Sequence, residues 1–335
     1  RFGFDVILGP SSYPEIRETV TKFLAERTSQ KPLCLFVGIG NPHVPWPMES
    51  TFDPAQITFP PTHLDTPSTR RHRAGYYQEI KEVDQFMGEL RGLAAKHLGE
   101  NVLFIYTADH GGQWPFGKWT LYDYGIRVPF IASWPGVVEA GSKSSAMISW
   151  VDLIPTLLEL GGGKAPEGLD GKSFAAVLRG ETTTHRDRIF TTHTGDKRMN
   201  VYPSRSVRTG EWKLIHNLHP EFAFTNHSDI LRLEGSGAYW TEWADLAKTD
   251  AHAKQIVDRY YRRPEFELYH VSEDKWEQTN LADNPEYAEI LADLRAELEA
   301  WQREQGDTFP VLEPPRLLSD PASWNPDYFG PDQQK

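Results

Sequence analysis

Cysteine is nearly absent from this chain: Cys34 stands alone, so no intrachain disulfide can form. It lies in the apolar run Pro32-Leu33-Cys34-Leu35-Phe36-Val37, where a buried, inert thiol is expected. Long apolar runs are lacking too, and none reaches the length a bilayer requires, so no transmembrane helix is expected. Positive charge is in deficit. With 35 Lys and Arg against 47 Asp and Glu, the formal net charge of −12 argues against nucleic acid as a partner. An anionic ligand would need local positive charge or a metal. The chain opens at Arg1 with neither Met nor a signal-like segment, so the sequence leaves export undecided. Trp and Pro are plentiful, at 11 and 25 in 335 residues, a composition common among glycan-handling proteins. The length admits one large domain or two.

The most informative stretch runs from Asn101 to Pro129. Asn101 to Thr107 has the Val, Leu, Phe, Ile and Tyr content of a buried strand in a parallel sheet. The run ends on Asp109-His110-Gly111-Gly112, with Lys118 following in a Gly-Lys pair. Ligands of open α/β sheets sit beyond the carboxyl ends of strands. A carboxylate and an imidazole delivered there suit a metal or a charged substrate. The plainer alternative is a strand-end Asp capping the next segment and a surface Lys.

Alternation of elements supports an α/β plan. A helix is expected from about Glu15, where Ile16, Val20, Phe23 and Leu24 recur at helical spacing. Pro32 to Ile39 reads as a short buried strand, followed by the loop Gly40-Asn41-Pro42-His43-Val44-Pro45-Trp46-Pro47. A helix covers about 70–98, a strand 128–133, and helices 152–160 and 173–178, with Asp152 as an N-cap. Beyond 186 the style changes. Strands are expected over 188–192, 205–209, 212–217 and 266–271, with a hairpin turn at Thr209-Gly210-Glu211-Trp212. An amphipathic helix follows over 286–305, and from Asp307 a Pro- and Asp-rich tail wraps the surface.

The order Asp-His-Gly, Gly-Lys, Leu121-Tyr122-Asp123 and Gly125-Ile126-Arg127-Val128-Pro129 resembles the type I sulfatases of the alkaline-phosphatase superfamily. Pro42-His43-Val44-Pro45-Trp46 strengthens the likeness. Segments at Tyr202 to Arg208, Trp212 to Leu218, Glu267 to Tyr269 and Glu277 to Ala282 look like the sulfamidase branch, the N-sulfoglucosamine sulfohydrolases. The resemblance implies an alkaline-phosphatase-like α/β fold, a mostly parallel sheet flanked by helices. It adds a smaller C-terminal subdomain with an antiparallel sheet and a terminal helix. The division expected is 1–185, the C-terminal part of the catalytic domain, and 186–335, the smaller subdomain. Asp109 and His110 would bind a divalent metal, usually Ca2+, although many sulfatases carry Asn at the place of His110. Lys118 would clamp the sulfate, where an Arg can stand in the sulfamidase branch. His43 would contact the sulfate or protonate its leaving atom.

The family's nucleophile is a formylglycine made in a Cys/Ser-x-Pro-x-Arg motif, which this sequence does not contain. Val201-Tyr202-Pro203-Ser204-Arg205 imitates it, but valine has no atom to oxidise. The resemblance therefore implies a nucleophile supplied outside this segment, by an amino-terminal portion or a companion chain of the same enzyme. The segment alone would be inactive. The function expected is hydrolysis of sulfate esters or N-sulfates on a sulfated saccharide. A phosphodiester or phosphonate hydrolase of the same superfamily is the alternative within enzymes, and a non-catalytic glycan-binding fragment the alternative outside them. His193 and Arg198 could reach a saccharide or be exposed loop residues. Arg205 reads as an ion-pair partner, and Asn226-His227-Ser228 matches a glycosylation acceptor. The family implies an extracytoplasmic location, whether periplasmic, secreted or lysosomal; homo-oligomerisation stays open.

Overall fold

A computed structural model describes residues 4–9, 12–320, 322 and 324, so the end of the acidic, Pro-rich tail lies outside the described residues. In chain order the helices and strands are α1 (Tyr13–Glu26), α2 (Pro67–Leu98), β1 (Phe104–Thr107), α3 (Asp123–Ile126), β2 (Phe130–Ser133), α4 (Leu153–Leu160) and α5 (Ala175–Leu178). Then come β3 (Ile189–His193), β4 (Ser204–Arg208), β5 (Trp212–Asn217), α6 (His227–Leu231), α7 (Tyr239–Leu246), α8 (Ala251–Tyr261), β6 (Phe266–His270) and α9 (Ala288–Glu304). They divide into two compact units. Arg1–Pro42, Glu79–Thr107 and Pro129–His185 make one; His43–Gln78, Ala108–Val128 and Arg186–Lys335 make the other.

In the first unit α1 begins at a capping box: Ser12 Oγ accepts the Glu15 N–H, and Glu15 Oε2 accepts the Ser12 N–H at 3.1 Å. Ile16, Val20 and Leu24 recur every four residues and bury against Phe86 and Leu90 of α2. Each such side chain contributes about 1.5–3 kcal/mol. The Arg17–Glu89 pair beside them is half-exposed and adds little.

β1 and β2 pair antiparallel, Phe104 opposite Ser133 through Thr107 opposite Phe130. The parallel pairing expected here is not found among the described residues. Nor is 32–39 a strand; it carries no regular secondary structure, and Leu35 and Phe36 are exposed. An apolar run becomes a strand only where a neighbouring backbone completes its ladder. Cys34 is accordingly exposed, not buried. Asp152 is the N-cap residue of α4, as expected, but its side chain makes no capping bond to the helix. Its carboxylate accepts from Ser149 N–H (2.9 Å) and Lys172 N–H (2.8 Å) instead.

The second unit is organised by the antiparallel sheet β3-β4-β5-β6. The β4–β5 turn closes with Thr209 N–H on the Trp212 carbonyl (2.8 Å), while Thr209 Oγ1 accepts the Trp212 N–H (2.9 Å). Side chains alternate across the sheet. Val207, Leu214 and Leu268 face Leu294 and Leu298 of α9. On the other face Ile215 and Tyr269 join Trp114, Trp240, Trp243 and Tyr260 in an aromatic core. α7 and α8, which supply much of that core, are not among the expected elements. Asp250 signals α8, since its carboxylate caps the Ala253 N–H at 2.7 Å. As expected, Arg205 is an ion-pair partner, its Nη2 lying 3.0 Å from Asp307 Oδ1. The tail returns through Ala223 N–H to the Arg316 carbonyl, at 2.8 Å.

Candidate active site

Two loops of the second unit bring the predicted residues together. The first is 108–128, folded back on itself by short-range bonds. Gly111 N–H reaches the Gly125 carbonyl (2.8 Å) and Lys118 N–H the Gly112 carbonyl (2.9 Å). This closure requires glycine at 111 and 117. A Cβ would lie 2.1 Å from the Tyr124 carbonyl oxygen in one case and 2.4 Å from that of Gly112 in the other. Asp123 then anchors the loop to the sheet, accepting from Arg208 Nη2 at 3.0 Å and pairing with Lys213.

The second loop carries His43. Its Trp46 stacks on Trp114 at 4.6 Å, and Trp114 in turn stacks on Tyr239 at 5.1 Å, so buried indoles join the two loops. Pro47 seats its carbonyl against α2 at Gly75, where an added Cβ would lie 2.1 Å from that oxygen. In a free helix Gly→Ala gains about 1 kcal/mol. Here Gly75→Ala is expected to lose about 1–3 kcal/mol through overpacking. Thermal melting would show this as a lower Tm, and an unchanged or raised Tm would disprove the seating.

His43 Nδ1 donates to the Val44 carbonyl (2.7 Å), which leaves Nε2 facing Lys118 Nζ at 3.5 Å. Lys118 is buried, and burial lowers its pKa, while Asp109 and Asp196 act to raise it. The ammonium lies over the Trp119 ring, 5.3 Å from its centre. Asp109 and His110 stand at the opening. Asp109 Oδ1 accepts the His110 N–H (2.9 Å), and Oδ2 lies 3.4 Å from His110 Nε2. His110 Nδ1 donates to the Gly111 carbonyl (2.8 Å), so Nε2 carries the free lone pair. One carboxylate and one imidazole nitrogen this close fit two ligands of a single cation. Among the described residues no group of three or more His, Cys, Asp or Glu gathers to complete a metal shell.

His193 ends β3, opposite Ser204, and Arg198 lies on the connection from β3 to β4. His193 is half-buried, and its Nε2 donates to Asn200 Oδ1 (2.7 Å); burial lowers its pKa. The Arg198 side chain is exposed, and its carbonyl accepts from Arg316. Three residues that the sequence reading did not place here also belong to the site. Asp196 acts electrostatically on Lys118, and His227 feels Lys118, Asp196 and His43. Trp119 lies 4.4 Å from the His227 ring. His227 hides in the supposed glycosylation match. Asn226 is buried and its Oδ1 accepts the Ser228 N–H (2.8 Å), so its amide is a helix cap and not an accessible acceptor.

A 2-O GAG sulfatase matches with a TM-score of 0.55 over 94% of this chain and 63% of its own, at 23% identity. A second solved structure, in complex with its substrate D-glucosamine-2-N,6-O-disulfate, matches with a TM-score of 0.64 over 93% of this chain and 73% of its own, at 18% identity. In sequence, the Sulfatase family model matches residues 12–163 and that of the N-sulphoglucosamine sulphohydrolase C-terminal region matches 110–227. An ulvan-active sulfatase of Formosa agariphila is 32% identical over 84% of this chain and 54% of its own length. The N-sulphoglucosamine sulphohydrolase of Homo sapiens is 29% identical over 81% and 55%. The chain belongs to the sulfatase family, with sulfamidase-branch sequence over 110–227, and it spans about half the length of these curated relatives.

Proposed function

We propose that this chain is part of a sulfatase that hydrolyses a sulfate ester or N-sulfate on a sulfated saccharide. The observation that supports this best is the meeting of His43 Nε2 with Lys118 Nζ at 3.5 Å, on a loop that also presents Asp109 and His110. A divalent metal, Ca2+ in this reading, held in part by Asp109 and His110 Nε2, and a formylglycine from outside 1–335 would supply charge neutralisation and the nucleophile. The remaining work falls to this chain's own side chains. Lys118, buried and held close to Asp109 and Asp196, clamps a sulfate oxygen. His43, fixed through Nδ1 on the Val44 carbonyl, moves a proton between Nε2 and the leaving oxygen or nitrogen. His193, through Asn200, and Arg198, by its exposed guanidinium, belong to the saccharide side.

On this reading 1–185 is the C-terminal part of a catalytic α/β domain and 186–335 its smaller subdomain, onto which 43–78 and 108–128 pack. The partner is the amino-terminal portion or a companion chain of the same enzyme, and the location is extracytoplasmic. Among the described residues no helix is long and apolar enough to cross a membrane. Intact-mass analysis of the purified enzyme, followed by assays on sulfated sugars and phosphodiesters under metal titration, tests the proposal. A formylglycine-bearing polypeptide and sulfate release that needs the metal are expected. Phosphodiester cleavage without sulfate release would overturn the reading.

A further inference from the structure

Next to the ammonium of Lys118 stands a second group of side chains that sulfate binding does not use. Trp119 holds left-handed backbone, φ 68°, which costs a non-glycine residue roughly 1–3 kcal/mol and persists where the surroundings impose it. Here they do: Lys118 N–H is bonded to the Gly112 carbonyl, and Thr120 Oγ1 to the carbonyls of Phe116 (2.8 Å) and Gly117 (2.7 Å). The outcome is an indole that touches both Lys118 and the His227 ring.

His227 and Asp196 are held by a shared support. Asn200, fully buried, binds the Thr225 carbonyl through Nδ2 (2.7 Å), and Thr225 Oγ1 binds the Met199 carbonyl (2.6 Å). The turn carrying Asp196 is thereby tied to the segment that delivers His227. The turn itself closes with Asp196 N–H on the Asn200 carbonyl, at 2.7 Å. His227 Nδ1 is buried without a hydrogen-bond partner, which favours the tautomer with its proton on Nε2, the less buried nitrogen. Burial, the Lys118 ammonium and His43 lower the His227 pKa to about 4 against the pull of Asp196, so the ring is neutral near pH 7.

We propose that His227 and Asp196, with Trp119 setting their distance from Lys118, read a hydroxyl group of the sugar ring that bears the sulfate. This rests on the sulfatase reading above. The His227 ring packs on Trp119 beside Lys118, and the Asp196 carboxylate acts on it electrostatically, so an N–H donor and a carboxylate acceptor are available for the two halves of a hydroxyl. A second sulfate in that position would meet the Asp196 charge, so the chemistry selects a hydroxyl there.

The test uses the complete enzyme with His227→Phe, which keeps a ring against Trp119, and Asp196→Asn, which keeps the shape. Kinetics are measured on the best-cleaved of a set of monosulfated glucosamines and galactoses, and on 4-nitrophenyl sulfate, which has no sugar. Each variant should lower the ratio of kcat/KM for the sugar sulfate to that for the aryl sulfate by about 10-fold or more, mainly through KM. Equal losses on both substrates would reassign the residues to positioning Lys118, and no loss on either would also overturn the proposal. Calorimetric titration with the same sugar sulfates and with inorganic sulfate gives a readout without turnover. The wild type should bind a sugar sulfate more tightly than sulfate, and His227→Phe should erase that margin; an intact margin overturns the inference. A wild-type enzyme that cleaves no sulfate but shows the margin would defeat the sulfatase reading alone.

Discussion

Lys118→Met in the complete enzyme is expected to lower kcat/KM for a sulfated saccharide by about 100- to 1,000-fold, a loss of roughly 3–4 kcal/mol in transition-state stabilisation. The size follows from where the charge sits. Lys118 is 8% exposed, so little water screens it, and its backbone is fixed by the Gly112 carbonyl. Methionine keeps the length and apolar stem but removes the charge that would face the sulfate oxygens. Lys118→Arg retains a cation and should lose less, although the guanidinium must find room beside Trp119 and His43. Steady-state kinetics on one sulfated saccharide decide the matter. A drop below about 5-fold for the methionine variant, with the fold intact by circular dichroism, would remove Lys118 from the sulfate clamp.

What the sequence made legible, and what it hid, divides along physical lines. Local signals worked where they are self-sufficient. The periodicity of Ile16, Val20 and Leu24 places α1, and the Thr209 turn sets the β4–β5 register. The motif residues His43 and Lys118 lie 75 positions apart, and only the family resemblance, not spacing, predicted that they meet. Signals failed where the outcome depends on a neighbour. Pro32 to Ile39 has strand composition but no ladder partner among the described residues, and Cys34 is exposed with it. His227 was obscured because Asn226-His227-Ser228 reads as a surface acceptor until Asn226 is seen buried as a cap. Asp196 offers no motif at all. It reaches the site because Asn200 fastens its turn to Thr225, a contact between residues 25 apart that no local pattern encodes.

The same dependence on distant partners sets the largest expected effect on stability, at Lys213. Its ammonium is fully buried, lies 2.8 Å from Glu277 Oε1, pairs with Asp123 and donates to the Leu121 carbonyl at 3.1 Å. Lys213→Met would leave two buried carboxylates, with Arg208 pairing Asp123 alone of the two. Removing one partner of a buried ion pair costs about 3–5 kcal/mol. Burial would raise the Asp123 pKa, but Lys213 and Arg208 outweigh it and hold the group at about 2. A carboxyl depressed in the folded state stabilises above its unfolded pKa and loses that contribution as pH falls through the folded value. For Asp123 the window runs from the ordinary 3.8 down to about 2, and the contribution is about 2 kcal/mol. Glu277 runs the other way, since burial raises its pKa despite Lys213. Without Lys213 both carboxyls would favour the protonated form, so the variant should gain relative stability as pH falls. Urea unfolding followed by Trp fluorescence at pH 7 and pH 4 is the measurement. The gap between wild type and Lys213→Met should be wide at pH 7 and narrower at pH 4. A gap that stays constant would mean the loss comes from packing and not from stranded charge.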